Sequence, residues 1–360
     1  MTATTQPTTT LPRRTVWSLL GIVIGFFLLV YLLRAVLLPF AIAGIIAYLL
    51  HPTTTRLTAQ GIPRSGATLI ALLASFLVII GIGLLFVPII SAQVVSFKAM
   101  LPQYIEQFTA QLAPLLQHAQ KYIDGKSLGD LPEVAKNQGG QVVAFVGDIL
   151  KTLLSSGGAL LSVVPLLFLT PVIAFYWLRD WQTMLDVIDS LWPRSLHTTI
   201  SGLLAEMNQC VAGFLRGQLL VALVLGVFYA AALSLAGLEF GFLIGMLSGL
   251  LTFVPYVGTL LGGLASIGIA FGQFGLSEWP MVALIAGIYV VGQFLEGNVL
   301  VPKLVGDQVG LHPVWIFFAL LTAGASFGFL GVLLAVPMAA ALGVLVRFGV
   351  ERYRRSALYA

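Results

Sequence analysis

The sequence predicts an all-α, polytopic integral membrane protein with about eight transmembrane helices, and three observations support this class. The 360 residues are 59% hydrophobic and only 9% charged, whereas soluble domains are about 45–50% apolar and about 25% charged. The mean hydropathy is +1.01. The apolar stretches are continuous rather than alternating, which favours helices over a transmembrane barrel. At about 20 residues per span, this length accommodates roughly eight spans and their loops.

Apolar runs bounded by turn or charge signals locate these spans. Five predicted spans are uninterrupted, at residues 16–33, 35–50, 67–90, 158–178 and 217–236. Residues 281–301 form a further span whose last third is polar. The stretches 241–271 and 312–346 contain proline and several glycines, and each is too long for one straight span. Each is therefore either one long tilted span or a re-entrant hairpin. We expect some of the helices to be broken or re-entrant.

The arginines predict the orientation, because cytoplasmic loops carry an excess of basic residues. All twelve arginines lie outside residues 91–157, which hold five of the six lysines and five acidic residues. We therefore expect a disordered cytoplasmic tail at 1–15, spans one to three over 16–90 and an extracytoplasmic segment at 91–157. Spans four to eight, with the transport core, follow at 158–348, and a basic cytoplasmic tail at 349–360. Both termini are predicted to be cytoplasmic.

The extracytoplasmic segment between spans three and four contains one amphipathic helix, predicted from apolar residues that recur at helical spacing. These residues are Phe97, Leu101, Tyr104, Ile105, Phe108, Leu112 and Leu115. We interpret the stripe as a helix packed on the membrane surface or on its own bundle, in preference to a cap or an oligomer contact.

The sequence offers little for catalysis, metals or nucleotides. A single cysteine, Cys210, cannot form an internal disulfide or a thiolate cluster, and the four histidines lack paired ligand spacing. The triplet at 125–127 resembles the end of a phosphate-binding loop, but Gln120 stands where that loop needs glycine. We therefore predict no enzyme, no metal site, no cofactor and no nucleic-acid partner; the net charge of +4 reflects topology.

Glycines and one proline indicate close helix packing and a helix break. Gly237, Gly241, Gly245 and Gly249 are spaced by four and give one small helix face, which membrane helices use to approach each other. The sequence at 252–258, Thr-Phe-Val-Pro-Tyr-Val-Gly, instead interrupts an apolar stretch. A helix break at membrane depth is typical of secondary transporters, although a simple kink is the alternative.

Glu296 lies in the otherwise apolar span 281–301, where burying a charge costs on the order of 3 kcal/mol. On a helix, Tyr289, Gln293 and Glu296 share a face, and Asn298 and Pro302 follow. This pattern indicates a polar lining for a solute or ion path; the alternative places Glu296 in water at the membrane edge.

We expect the polar face and the break to approach each other at membrane depth and form the central site. The predicted substrate- or ion-binding residues are Pro255, Tyr256, Gly258, Gln293, Glu296, Asn298 and Pro302. Arg216 and Gln218, by contrast, are interpreted as a cytoplasmic anchor at the start of the fifth span.

Motifs in a fixed order along nearly the whole chain resemble the autoinducer-2 exporter family of bacterial membrane transporters. The matching elements are Pro39-Phe40, Ala47-Tyr48, Pro52, Gly61-Ile62-Pro63-Arg64, Phe175-Tyr176-Trp177-Leu178-Arg179-Asp180, Gly217-Gln218, Phe253-Val254-Pro255-Tyr256-Val257-Gly258, Glu296-Gly297-Asn298, Pro302-Lys303, His312-Pro313 and Gly331-Val332 to Pro337. The resemblance implies an eight-span protein of the bacterial inner membrane that forms a homo-oligomer. Its members are linked to export of a furanosyl quorum-sensing signal, and others to sodium/proton exchange.

Three functions follow as hypotheses. The first is a secondary transporter that exports a small polar solute or signalling molecule, autoinducer-2-like, by alternating access. The second is a sodium/proton antiporter in which Glu296 is the ion site. The third is a membrane scaffold that does not transport. The partners expected are a small solute, the lipid bilayer and further copies of the chain, with H⁺ or Na⁺ as the coupling ion.

Overall fold

The computed structural model describes residues 36–120, 157–275, 277–306 and 311–356, together with Gly25, Leu32, Leu33 and Tyr359. These ranges are helical and contain no β-strand, which confirms the all-α prediction. The helices are α1 Leu37–Ala59, α2 Arg64–Gln120, α3 Gly157–Ser190, α4 His197–Leu235, α5 Gly241–Leu251, α6 Val257–Phe274, α7 Trp279–Leu295, a π-helix Glu296–Val305, α8 Pro313–Phe327 and α9 Phe329–Arg354.

Six helical stretches of the described part are long and apolar enough to cross a membrane, which confirms a polytopic membrane protein. They are Leu37–Ala59, Arg64–Phe86, His197–Leu235, Val257–Phe274, Trp279–Val305 and Phe329–Arg354. The predicted span 158–178 lies within α3. Most of the predicted first span, the tail at 1–15 and residues 121–156 lie outside the described residues.

The predicted amphipathic helix is not a separate element. It is the C-terminal part of α2, which runs without interruption for 57 residues, or about 86 Å at 1.5 Å per residue. The side chains of its apolar stripe lie outside the described residues. α4 likewise begins 20 residues before the predicted fifth span, because the polar residues that marked the span boundary are themselves helical.

The two long apolar stretches are both helical hairpins, which answers the question that the sequence left open. α5 and α6 are joined by a turn at 252–256, and Gln273 closes the other end of this first hairpin. Its side chain accepts from Glu239 N at 2.8 Å and donates to Gly237 O at 2.9 Å. Gln273 lies near the end of α6, whereas Glu239 and Gly237 lie just before α5 begins. α5 and α6 therefore run antiparallel along their whole length.

α8 and α9 form the second hairpin around Gly328, whose φ of 61° lies in a region that glycine enters freely. A methyl group at Gly331 would overlap the backbone carbonyl of Ala323, and one at Gly343 would touch Leu311. Because a straight helix would separate Ala323 from Gly331 by about 12 Å, this close contact shows that the chain folds back between them. α5 and α8 have 11 and 15 residues, fewer than the roughly 20 that a full span needs.

The described helices pack into two groups, each with its own apolar cluster. The first group is α1–α3, which buries Ala43, Ala47, Leu72, Ile173, Ala174 and Leu178. The second group is α4–α9, whose larger cluster is centred on α4. The two groups touch along a seam, where Arg216 Nη2 donates to Tyr48 O at 3.3 Å and Phe86 stacks on Phe242 at 5.6 Å.

Small residues set the close approach of α4 and α5 within the second group. Gly241, Gly245 and Gly249 are buried, and methyl groups there would overlap backbone atoms of α4. This confirms the predicted small face for three of its four members. Gly237 is the exception, because it lies in the turn before α5 with a φ of 73° and open space around it.

Candidate functional site

Glu296 lies at the centre of the second helix group, at the junction between α7 and the π-helix. Its side chain is 5% exposed, and Thr259 Oγ1 donates to its Oε2 at 3.2 Å. Thr259 belongs to the first turn of α6, directly after the hairpin break. The helix break and the glutamate are therefore joined by a hydrogen bond.

The π-helix explains why the chain can hold Glu296 at this junction. Pro302 lies inside it, and a proline supplies no backbone N–H to the helix interior. π-helical turns are rare and occur frequently at functional sites. The end of the π-helix packs on α4 at Gly217, where a methyl group would overlap the Leu304 carbonyl. This contact fixes the position of the π-helix relative to α4.

Tyr289 forms a second polar contact about two helical turns from Glu296. Its hydroxyl lies 3.1 Å from Ser248 Oγ and 2.9 Å from Ser266 Oγ, and both serines are buried. Tyr289 therefore links α7 to both helices of the first hairpin. Its ring stacks on that of Tyr229 with centroids 4.6 Å apart.

The Tyr229 hydroxyl is buried and has no hydrogen-bond partner in the described part of the chain. Thr259, Glu296 and Tyr289 are its polar neighbours. A methyl group at Gly292 would overlap the Tyr229 ring, so the glycine of α7 is what admits this side chain.

Gln218 corrects one interpretation from the sequence. It is not a cytoplasmic anchor: its side chain is 2% exposed and its Nε2 donates to the Thr252 carbonyl at the hairpin turn. Thr252 Oγ1 in turn donates to Ser248 O at 2.8 Å. The helix break frees backbone carbonyls, and Gln218 satisfies one of them from α4. Arg216, two residues earlier, is exposed at the seam.

The electrostatic setting of Glu296 is unusual for a buried acid. No ion pair in the described ranges includes it, and its hydrogen bond from Thr259 comes from a neutral hydroxyl. A buried carboxylate without a cation is costly, so Glu296 is a candidate position for a small cation. Carboxylate and hydroxyl oxygens suit hard cations such as Na⁺.

The predicted binding residues of the hairpin break differ in burial and in the direction of their side chains. Gly258 is buried against Ser248 and Thr252, and Pro255 is half-buried in the turn. Tyr256 is directed elsewhere, because its ring stacks on Phe317 of α8 at 5.1 Å.

Four of the predicted binding residues belong to α7 and the π-helix, and among these four only Glu296 is buried. Gln293 is half-buried, whereas Asn298 and Pro302 are exposed. Asn298 Nδ2 donates to Phe294 O at 3.2 Å. The structure thus joins Glu296 to the hairpin break through Thr259, the residue after Gly258, and leaves the Tyr256, Asn298 and Pro302 side chains on other surfaces.

Four polar side chains at this site escaped the sequence reasoning, namely Tyr229, Ser248, Thr259 and Ser266. The sequence contains a usable signal for Ser248 and Thr259. Ser248 lies four residues before Thr252 in an apolar stretch, and Thr259 follows Thr252 by seven residues. Polar residues at helical spacing on either side of a break indicate a polar face shared by both arms of a hairpin.

Comparison with known proteins identifies the family. The model for the AI-2E family transporter matches residues 20–351. The chain belongs to this family.

Its relatives include YrrI of Bacillus subtilis (strain 168), named as a putative transport protein, which is 29% identical over 87% of this chain and 86% of its own length. YueF of the same organism carries a similar name and is 31% identical over 83% and 80%. PerM of Escherichia coli (strain K12), named as a putative permease, is 28% identical over 89% and 90%. The chain is thus a multi-pass membrane protein of a transporter family.

Proposed function

We propose that this protein is a secondary transporter that moves a small polar solute or signalling molecule outward across the bacterial inner membrane by alternating access. The observation that carries the proposal is the buried Glu296, hydrogen-bonded to Thr259 where the hairpin break meets α7. A broken helix beside an intramembrane acid is the arrangement in which secondary transporters bind substrate and coupling ion. Glu296 is the coupling site, occupied by H⁺ or Na⁺ in turn.

The chain's place in the AI-2E family supports a signal related to autoinducer-2 as one solute class.

Both termini lie in the cytoplasm in this proposal, and residues 91–157 lie outside. The protein acts as a homo-oligomer. Labelling of single cysteines on a Cys210-free background tests the topology: a cysteine at position 126 should react only from outside, and reaction only from the cytoplasm would refute it.

A sodium/proton antiporter is the second candidate, and one observation favours it. The polar neighbours of Glu296 are the hydroxyls of Thr259 and Tyr229, which can ligate a cation but offer little to recognise a larger solute.

Proteoliposome flux distinguishes these functions. The purified full chain is reconstituted with a pH-sensitive dye inside, and empty liposomes are the control. Flux of one member of a panel of small polar solutes, driven by a proton or sodium gradient, supports the exporter. Sodium-dependent proton movement without solute supports the antiporter. Neither signal from correctly folded protein would refute transport and favour a scaffold.

A further inference from the structure

A second polar space lies at the seam between the two helix groups, apart from Glu296. It is a cavity of about 40 Å³, whereas one water needs about 10–15 Å³. Its polar and aromatic lining consists of Tyr48 and His51 from α1, Trp181 from α3, and Asn208 and Arg216 from α4. We call this space the seam cavity.

The walls of the seam cavity are held by direct contacts. Tyr48 and Trp181 meet edge to face with ring centroids 5.4 Å apart, and His51 lies 6.0 Å from the same Trp181 ring. Arg216 reaches across the seam to the Tyr48 carbonyl at 3.3 Å. The lining thus combines one rigid aromatic side with one basic side.

Positive charge surrounds the cavity without a matching acid. His51 lies within electrostatic reach of both Arg64 and Arg216. Asp180 lies within electrostatic reach of Arg64 but is already engaged, because Arg179 binds both of its carboxylate oxygens at 2.7 and 2.8 Å. Within the described ranges, no ion pair includes Arg64 or Arg216.

Two buried nitrogen atoms beside the cavity also lack hydrogen-bond partners in the described part of the chain. They are His51 Nδ1 and Arg64 Nη2, although Arg64 Nε donates to Leu178 O at 3.2 Å. Buried polar atoms are nearly always hydrogen-bonded, to protein, water or ligand. An unused guanidinium donor, an imidazole nitrogen without a partner and two unpaired arginines together call for a ligand that carries acceptor oxygens and negative charge.

We propose that the seam cavity binds an oxyanion of the phosphate class, supplied by a lipid headgroup or by free phosphate. The Arg216 guanidinium and the His51 ring hold its oxygens, and the Asn208 amide donates from the same side. A guanidinium matches two phosphate oxygens at once. The bound anion bridges α1 to α4 and so links the two helix groups.

Binding of radiolabelled inorganic phosphate to the purified full chain tests the proposal. The protein is kept in neutral detergent at constant ionic strength set with chloride, and bound label is measured by scintillation proximity. We expect saturable binding. R216Q should weaken it roughly tenfold, the loss of one charge-assisted contact. R355Q is the matched control, since Arg355 is exposed and pairs with Glu351 near the C-terminus, and it should bind like the parent.

Phosphatidylglycerol identifies the source of the oxyanion. If this lipid displaces the label and remains attached to the parent but not to R216Q in native mass spectrometry, the ligand is a headgroup. If it does not displace the label, the ligand is free phosphate. H51Q provides a second variant should R216Q fail to fold. Absence of both phosphate and lipid binding in the parent, or equal affinity in the parent, R216Q and H51Q, would overturn the proposal.

Discussion

The two helix groups differ in how their buried hydroxyl groups are paired between helices. In α4–α9, the hydroxyls of Ser248, Ser266 and Thr259 find partners in Tyr289 and Glu296. In α1–α3, the hydroxyls of Thr68 and Thr170 are buried without partners in the described part of the chain. Unpaired buried polar groups cost about 1–3 kcal/mol each. The α4–α9 group contains a connected polar network, whereas the α1–α3 group relies mainly on apolar packing, with Arg64 Nε donating to Leu178 O between α2 and α3.

This contrast indicates a division of roles. The α4–α9 group carries the only acid of the described ranges that is buried, and its two hairpins supply the helix breaks. The α1–α3 group contributes a packing partner and one side of the seam. In secondary transporters, one bundle moves against another around a central site, and the seam is where such motion would occur here. Substitutions in the two groups should therefore have different consequences.

The largest effect on stability is expected from Gly249→Val. The new side chain would meet the Gly226 backbone of α4, which cannot move aside as a side chain could. Overpacking costs about 1–3 kcal/mol and more where backbone must shift, so we expect loss of the monodisperse peak in detergent. Gly268→Val is the control, because nothing lies within 4 Å of that position. Equal behaviour of the two variants would refute the close α4–α5 packing.

A matched pair of tyrosines tests the polar network itself. Tyr289→Phe leaves Ser248 and Ser266 without their shared partner and should destabilise the protein by about 1–3 kcal/mol. Tyr229→Phe removes a hydroxyl that has no hydrogen-bond partner in the described part and should leave the thermal midpoint nearly unchanged. Thermal unfolding of both variants in detergent measures the difference. A larger loss in Tyr229→Phe would contradict the network as described.

A smaller, pH-dependent effect is expected at the connection between the groups. Ser201 donates to Asp189 Oδ1 at 2.7 Å, and His197 lies 2.8 Å from Oδ2. The hydrogen bond from Ser201, and then that from His197, lower the pKa of the Asp189 carboxyl. A lowered pKa stabilises the folded state above the unfolded carboxyl's pKa, and this contribution is lost as pH falls through the folded value.

Asp189→Asn should therefore increase amide exchange around residues 190–200 at neutral pH and change little in acid. Hydrogen exchange with mass spectrometry of parent and variant at both pH values measures this. A difference that is the same at both pH values would show that the carboxylate charge plays no part.

The sequence predicted the class, most spans and the break at 252–258 because composition and proline or glycine placement act locally. It left open whether each of the two long apolar stretches is one tilted span or a hairpin. It could not predict which polar side chains converge. Gln218 appeared to be an anchor because it follows Arg216 by two positions. Helix positions two apart face different directions, and only the fold shows that the Gln218 side chain lies inside. Asn298 was expected at the site because it follows Glu296 closely along the chain. Helix positions two apart face different directions, and the Asn298 side chain is exposed.

The central claim is that Glu296 is the coupling site of a transporter, and Glu296→Gln tests it most directly. The exchange retains shape and hydrogen bonding to Thr259 while it removes the titratable charge. Glu351→Gln is the matched control, since Glu351 is exposed near the C-terminus. Ion-driven flux and its pH profile are measured in proteoliposomes with equal amounts of folded protein. We expect Glu296→Gln to abolish flux or free it from pH, with the control like the parent. A parental rate and pH profile in Glu296→Gln would contradict the claim.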